Sequence, residues 1–289
     1  MVDNNLPLRL TKLAQRALLY EVSVNPKPGL VDPVSAGAHP DMDVFMFIDS
    51  ATSLLDYFEK CAQAGITAAQ TGTIGRQLFQ VIRPLGVVAE QEMFAATGGV
   101  NTHKGAVFSL GVIVTATAVQ MTVDSKYSTE RVIAITKQML KGLVSEDFER
   151  IQQKDPVSLT AGERQFLQYG KTGIRGEAEA GFPTVTELAL PALRKSTGST
   201  MQRLLDTLIH IAGNTDDSNL IKRAGTPTIT AWMHDQADYY FSLGGSKIAA
   251  GREFLNDLDV TFTKRHLSLG GSADLLILTI YFGLLEGII

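Results

Sequence analysis

From Gly105 to Met121 the chain carries no charged residue, and no other feature limits its possible folds so strongly. Such a run is either an apolar helix enclosed by protein or a membrane span. A span needs ~20 predominantly apolar residues, and Ser109, Thr115 and Thr117 dilute this one. The run from Leu275 to Ile289, charged only at Glu286, is shorter still. Both read as central helices of a globular core, with no membrane partner.

Helical spacing recurs along nearly the whole chain. Leu10, Leu13, Ala17, Leu18 and Val24 mark a first amphipathic helix. Asp43 is placed to cap a second, in which Val44, Phe47, Ile48, Ala51, Leu55, Phe58 and Ala62 share a face and Gly65 is placed as the end. Further helical patterns cover 70–95, 104–122, 128–144, 199–212, 217–224, 227–242, 246–258 and 272–288. No stretch alternates with the two-residue period of a strand between hairpin turns. The expected fold is therefore all-α. With no composition shift to mark a boundary, residues 1–289 read as one compact multi-helix domain whose active site is built from inter-helix loops. The polar stretch 145–182 reads as an irregular excursion, and "SLGGS" at 242–246 and 268–272 as one helix-start device used twice.

Charge and cysteine content narrow the function. The net charge is −4 with no basic tract, which disfavours a nucleic-acid partner. Cys61 is the sole cysteine, so no internal disulfide can form and a reduced, cytoplasmic setting is expected. The polar start "MVDNNLPLRLTKL" shows no signal-peptide pattern.

The chemistry sits in five loops. "VNPKPGLVDPVSAGAHPDMD" holds Lys27, Asp32, His39, Asp41 and Asp43 between prolines that forbid a regular helix. It reads either as a rigid connector with capping aspartates or as a stiffened loop presenting charges to a cleft. "TGGVNTHKG" places Gly98, Gly99, Asn101, His103 and Lys104 before the uncharged helix. Glycines that admit positive φ and a helix N-terminus suit a phosphate, although no Walker motif fits. The plainer reading is that Asn101 or Thr102 caps the helix. "GIRGEAEAGFP" offers Arg175 as a bidentate fork and Glu177 and Glu179 as acid, base or metal ligands, or simply a solvated pair. In "GNTDDSNLIKRAG", Asp216 and Asp217 are either hard-oxygen donors for Mg²⁺ or helix caps, with Asn219 and Arg223 on the same face as Asp216. "LGGSADLL" brings Gly271 and Ser272 ahead of the last helix.

Taken together, "EVSVNPKPGLVD", "GAHPDMD", "TGGVNTHKGAVFSLG", "RGEAEAGFP", "DDSNLIKRAG" and "GGSADLL" resemble, in order, the triphosphoribosyl-dephospho-coenzyme A synthases. Leu269 stands where that pattern has proline. The resemblance implies a transferase that joins the ribose C1 of ATP to the 2′-hydroxyl of 3′-dephospho-coenzyme A and releases adenine. Its product would be the prosthetic-group precursor of citrate lyase or malonate decarboxylase, passed to a holo-acyl-carrier-protein synthase and the acyl carrier subunit. On this basis Glu177, Asp217 and His103 are expected to be catalytic. Lys27, His39, Gly98, Gly99, Asn101, Lys104, Arg175, Asn219, Arg223, Gly271 and Ser272 are expected to bind substrate. Asp41, Asp43, Asp216 and Asp217 are the candidate Mg²⁺ ligands. Two rival readings are a Mg²⁺-dependent ADP-ribosyl-type glycohydrolase and a non-catalytic nucleotide-binding protein.

Overall fold

The uncharged run folds as a helix in which every residue from Ser109 to Gln120 is buried. By length and composition it would pass for a membrane span, yet 78% of its apolar window lies inside the protein. Its hydroxyls are satisfied within the helix: Thr115 Oγ1 donates to the Gly111 carbonyl at 2.8 Å and Thr117 Oγ1 to that of Ile113 at 2.7 Å. It is thus a core helix.

The computed structural model describes residues 5–124, 126–159 and 161–289, and every regular element among them is helical. Residues 1–4 of the N-terminal segment lie outside the described residues. The chain opens with α1 (Leu6–Ser23), α2 (Val44–Ser53), α3 (Leu55–Thr71), α4 (Arg76–Ala96) and the core helix α5 (Lys104–Val123). Next come α6 (Thr129–Leu140), α7 (Leu143–Gln152), α8 (Ala161–Tyr169) and α9 (Gly173–Glu179). A π-helical turn, Thr184–Ala189, leads into α10 (Leu190–Lys195), α11 (Thr200–Ala212) and α12 (Ser218–Ala224). The last three are α13 (Ile229–Ser242), α14 (Ala249–Lys264) and α15 (Gly270–Leu285).

Around α5 pack α1, α3, α4, α6 and α15. Helix α15 also meets α10, α11, α12 and the π-helical turn, so it joins the two halves of the molecule. Its buried face runs unbroken from Leu275 to Leu284.

Three local expectations are corrected. The second helix is two: α2 stops at Ser53 and α3 restarts at Leu55. Gly65 does not end it; a Cβ there would lie 2.4 Å from the Thr115 carbonyl, so the glycine permits close approach of α3 to α5. The end is Gly72, in the left-handed region at φ +72°. The stretch 145–182 is not irregular, since α7, α8 and α9 occupy much of it, and Gly142 (φ +83°) divides α6 from α7. The two "SLGGS" segments also differ. Gly244 and Gly245 have positive φ and open a 3₁₀ turn, Gly244 as its cap and Gly245 as its first residue, whereas Gly270 and Gly271 lie within the first turn of α15.

Candidate active site

The proline-rich loop 24–43 is organised by one carboxylate. Asp32 accepts from Asn25 Nδ2 and the Val34 and Ser35 amides, each at 2.8 Å, and from the Lys27 amide at 3.1 Å. This holds Lys27 inward, where its side chain is 1% exposed and its ammonium pairs with the equally buried Glu21 of α1. Further along, His39 Nε2 meets Ser268 Oγ at 3.0 Å and its Nδ1 meets the Arg223 guanidinium at 3.0 Å. Burial, with the Arg223 charge beside it, lowers His39 to about 4, so the ring is neutral at neutral pH. Arg223 is also fixed by the Ala38 and His266 carbonyls, both at 3.1 Å. Loop 24–43 and the turn before α5 line one chamber of about 300 Å³, to which they contribute Lys27, His39 and Asp41, and Asn101 and His103.

Gly98 and Gly99 have a different place. Both have positive φ, and the Gly99 amide closes α4 by donating to the Phe94 carbonyl at 2.7 Å. Both are exposed, and neither lines the chamber or the groove described below. His103 is the residue this turn delivers inward, with 2% exposure. Ser50 Oγ accepts from Thr102 Oγ1 at 2.7 Å and meets His103 Nδ1 at 2.7 Å. The Ser50 proton therefore goes to Nδ1, which assigns the ring hydrogen to Nε2. That Nε2 has no partner among the described residues. Burial, reinforced by Lys27, lowers His103 to about 3. The ring is a neutral donor.

A larger groove of about 860 Å³ lies outside the chamber. The starts of α5, α9, α12 and α15 converge on it, at Lys104, Gly173, Ser218 and Gly271. Asn101, Gly105, Asn219, Lys222 and Asp274 line both cavities and form their common wall. Lys104 faces the groove and pairs with Glu90 at 2.9 Å. Glu177, also at the groove, accepts from Thr184 Oγ1 at 2.8 Å. Arg175 opens onto an adjoining recess of about 420 Å³ with Val144, Ile151, Phe166 and Ile174; there it pairs with Asp147 and stacks over Phe108. Glu179 points elsewhere and accepts from the Gly142 and Val144 amides at the start of α7.

The aspartates divide by role. Asp43 caps α2 through the Met46 amide at 2.8 Å, and Asp41 is exposed at the chamber wall. Asp216 borders the groove and pairs with Lys171, which lowers its pKa. Asp217 is 4% exposed and accepts from five donors: the amides of Asn219, Leu220, Gly271 and Ser272 and the Ser272 hydroxyl. Burial pushes its carboxyl up while those donors pull it down. It ties the start of α12 to the start of α15, and Gly271 and Ser272 serve it as donors. Among the described residues no three or more His, Cys, Asp or Glu side chains are grouped to hold a metal ion. A Mg²⁺ carried by a polyphosphate would need only one or two protein carboxylates, and Asp216 at the groove is one.

Asp274, Lys222 and Glu21 were not singled out as site residues in the sequence, yet all three line the chamber. Asp274 has no hydrogen-bond partner among the described residues. Its carboxylate fills the space beside Gly105, where an added Cβ would fall 1.9 Å from Oδ2.

No solved structure matches the chain. A protein from Lactiplantibacillus plantarum called a probable 2-(5''-triphosphoribosyl)-3'-dephosphocoenzyme-A synthase is 60% identical, with 94% of this chain and 95% of that protein aligned. A Vibrio cholerae protein of the same name is 40% identical over 95% of this chain and 87% of its own length. "Protein CitXG" of Leuconostoc mesenteroides subsp. cremoris is 49% identical over 96% of this chain, which spans 59% of that longer protein. The family model described as ATP:dephospho-CoA triphosphoribosyl transferase matches residues 7–288. The chain belongs to the family of ATP:dephospho-CoA triphosphoribosyl transferases.

Proposed function

We propose that the chamber and the groove are the two halves of one transferase site, in which the ribose C1 of ATP is joined to the 2′-hydroxyl of 3′-dephospho-coenzyme A. The observation that carries this reading is the common wall: one set of residues faces a smaller chamber and a larger groove bordered by Lys104, Lys171 and Lys222 at once. Adenine and ribose occupy the chamber, among Leu30, Val31, Met42, Phe47 and Ile277. The triphosphate runs out past Lys222 towards Lys171 and Lys104, whose ammonium groups border the groove. The pantetheine arm of the acceptor follows the apolar recess beside Arg175.

Roles follow from the surroundings. His103 donates Nε2–H to an acceptor atom of ATP and, being neutral, does not carry a proton through the reaction. Arg223 and His39 form a rigid polar edge. Asn101 and Asn219 position the ribose at the wall. Glu177, on the acceptor side, takes the proton of the attacking hydroxyl. Asp217 holds α12 and α15 in register and touches no substrate. Mg²⁺ neutralises triphosphate charge when bound, with Asp216 as the carboxylate beside that path. The product passes to a holo-acyl-carrier-protein synthase and its acyl carrier subunit, and all of these steps suit a cytoplasmic enzyme.

Adenine release is the deciding measurement. With ATP and Mg²⁺ present, adenine should appear only when dephospho-coenzyme A is added, in equal amount to the coupled product. Release without the acceptor would show that water is the nucleophile and replace this reading by the glycohydrolase one.

Lys104→Ala tests the triphosphate path. Lys104 is about half-exposed and already paired with Glu90, so its contribution is that of a screened contact. Titration calorimetry should show ATP affinity reduced severalfold, by less than ~1 kcal/mol, and more than the affinity of the acceptor, whose recess Lys104 also borders. Loss of acceptor affinity instead would exchange the two substrates between groove and recess.

A further inference from the structure

We propose that Asp274 is the proton donor to the departing adenine. The inference rests on the transferase reading above and adds a catalytic group to it.

Geometry singles out this carboxyl. Asp274 belongs to the common wall, so it faces both the chamber that holds adenine and the groove that carries the triphosphate away from the ribose. Asp217, its nearest rival on the same helix junction, has both oxygens occupied by protein donors, whereas Asp274 has none. Gly105 leaves room for the carboxyl and for nothing larger on α5. A carboxyl that the fold accommodates but does not hydrogen-bond is available to a ligand.

The electrostatic surroundings favour its neutral form. Burial, then the charges of Asp217 and Glu21, raise its pKa from 3.8 to about 8. The groups facing it are Glu21 of α1, itself paired with Lys27 of the following loop, and Asp217 and Lys222 from the α12 segment. From the α5 side it meets Gly105 and the neutral His103. At neutral pH it is mostly protonated and can give a hydrogen.

The step balances as follows. The C1–N9 bond breaks with its electron pair moving into the purine, and the Asp274 proton goes to N7. The acceptor oxygen forms the new bond to C1, and its own proton goes to Glu177. Solvent exchange between the two carboxyls then restores the starting state, with no oxidant or further reactant. An adenine protonated at N7 leaves as a neutral base.

Asp274→Asn keeps the shape and removes the proton. It should lower kcat at least ~100-fold, the usual span of general acid catalysis, with little change in either KM. Wild-type kcat/KM should fall as pH rises through about 8, the value of this carboxyl in the ligand-free enzyme, and the variant should lack that limb. A leaving-group probe separates chemistry from shape. The wild type should turn over 7-deaza-ATP, which cannot be protonated at that position, far more slowly than ATP, and in the variant the difference should collapse. Survival of the discrimination in Asp274→Asn, or a variant with wild-type kcat, would overturn the proposal. Absence of acceptor-dependent adenine release in the wild type would instead be a failure of the transferase reading itself.

Thermal unfolding gives a readout free of activity. The folded carboxyl binds its proton more tightly than the unfolded one, so wild-type stability is lost as pH rises between 3.8 and about 8. The melting temperature of Asp274→Asn relative to wild type should therefore climb across that window. A difference independent of pH would show that the carboxyl is not held neutral.

Discussion

Asp217→Ala is expected to lower the unfolding free energy by ~3 kcal/mol, and Asp216→Ala by less than ~1 kcal/mol, although the two residues are neighbours. Asp217 caps α12 and reaches the first amides of α15 in the same gesture. Its removal strands the Ser272 hydroxyl and the buried Leu220 and Ser272 amides, and unpairs the Asn219 and Gly271 amides at the edge of the groove. One lost cap costs ~1 kcal/mol and each buried unsatisfied donor adds to that. Asp216 is 44% exposed and makes a surface ion pair with Lys171. Urea unfolding of the two variants, followed by circular dichroism, reads both numbers. Asp217→Asn should lie between them, since its amide keeps one acceptor oxygen. If Asp217→Ala unfolded like the wild type, the carboxylate would not be a structural clamp and its place in catalysis would reopen.

That pair illustrates what can be read from a sequence and what cannot. "DDSNL" announces a cap and a candidate ligand set equally well, because both uses want a carboxylate just before a helix. Only the third dimension shows that Ser272 and Gly271 arrive to occupy Asp217. The all-helical architecture was legible because apolar period and uncharged length are properties of a single segment. Breaks such as Leu54 were not, since the apolar face of 44–62 continues across them. Gly65 looked like a terminator for the same reason: its neighbour in space, Thr115, is remote in sequence.

The site was legible as loops and not as side chains. Loop 24–43 and the turn before α5 share a chamber. Yet Gly98 and Gly99, the most visible part of the turn, end a helix at the surface, while His103 goes inside. Asp274 is harder still to find. It sits just past the first turn of α15, near a helix start where an aspartate is commonplace, so position alone carries no signal. The available clue was Gly105, a small residue where the core helix has no turn to make, but its counterpart could not be named without the fold.

Lys27→Met is expected to cost ~3–5 kcal/mol, the usual result of leaving one member of a buried ion pair alone. Both side chains are almost fully enclosed, at 1% and 3% exposure, so Glu21 would remain charged without a partner or take up a proton. The double variant Glu21→Gln/Lys27→Met removes both charges and should recover most of that loss, because apolar or neutral replacements of such pairs are often close to neutral in stability. Chemical unfolding of the wild type, both single variants and the double variant gives the coupling directly. Recovery of stability would then expose the functional question. The pair lines the chamber, and Glu21 is one of the two charges that keep Asp274 protonated. Losing the Glu21 carboxylate draws the alkaline limb of kcat/KM to lower pH and losing the Lys27 cation opposes it, so a stable double variant should move that limb only slightly. If the double variant were as unstable as Lys27→Met, the loop's own geometry, and not the isolated charge on Glu21, would be what Lys27 sustains.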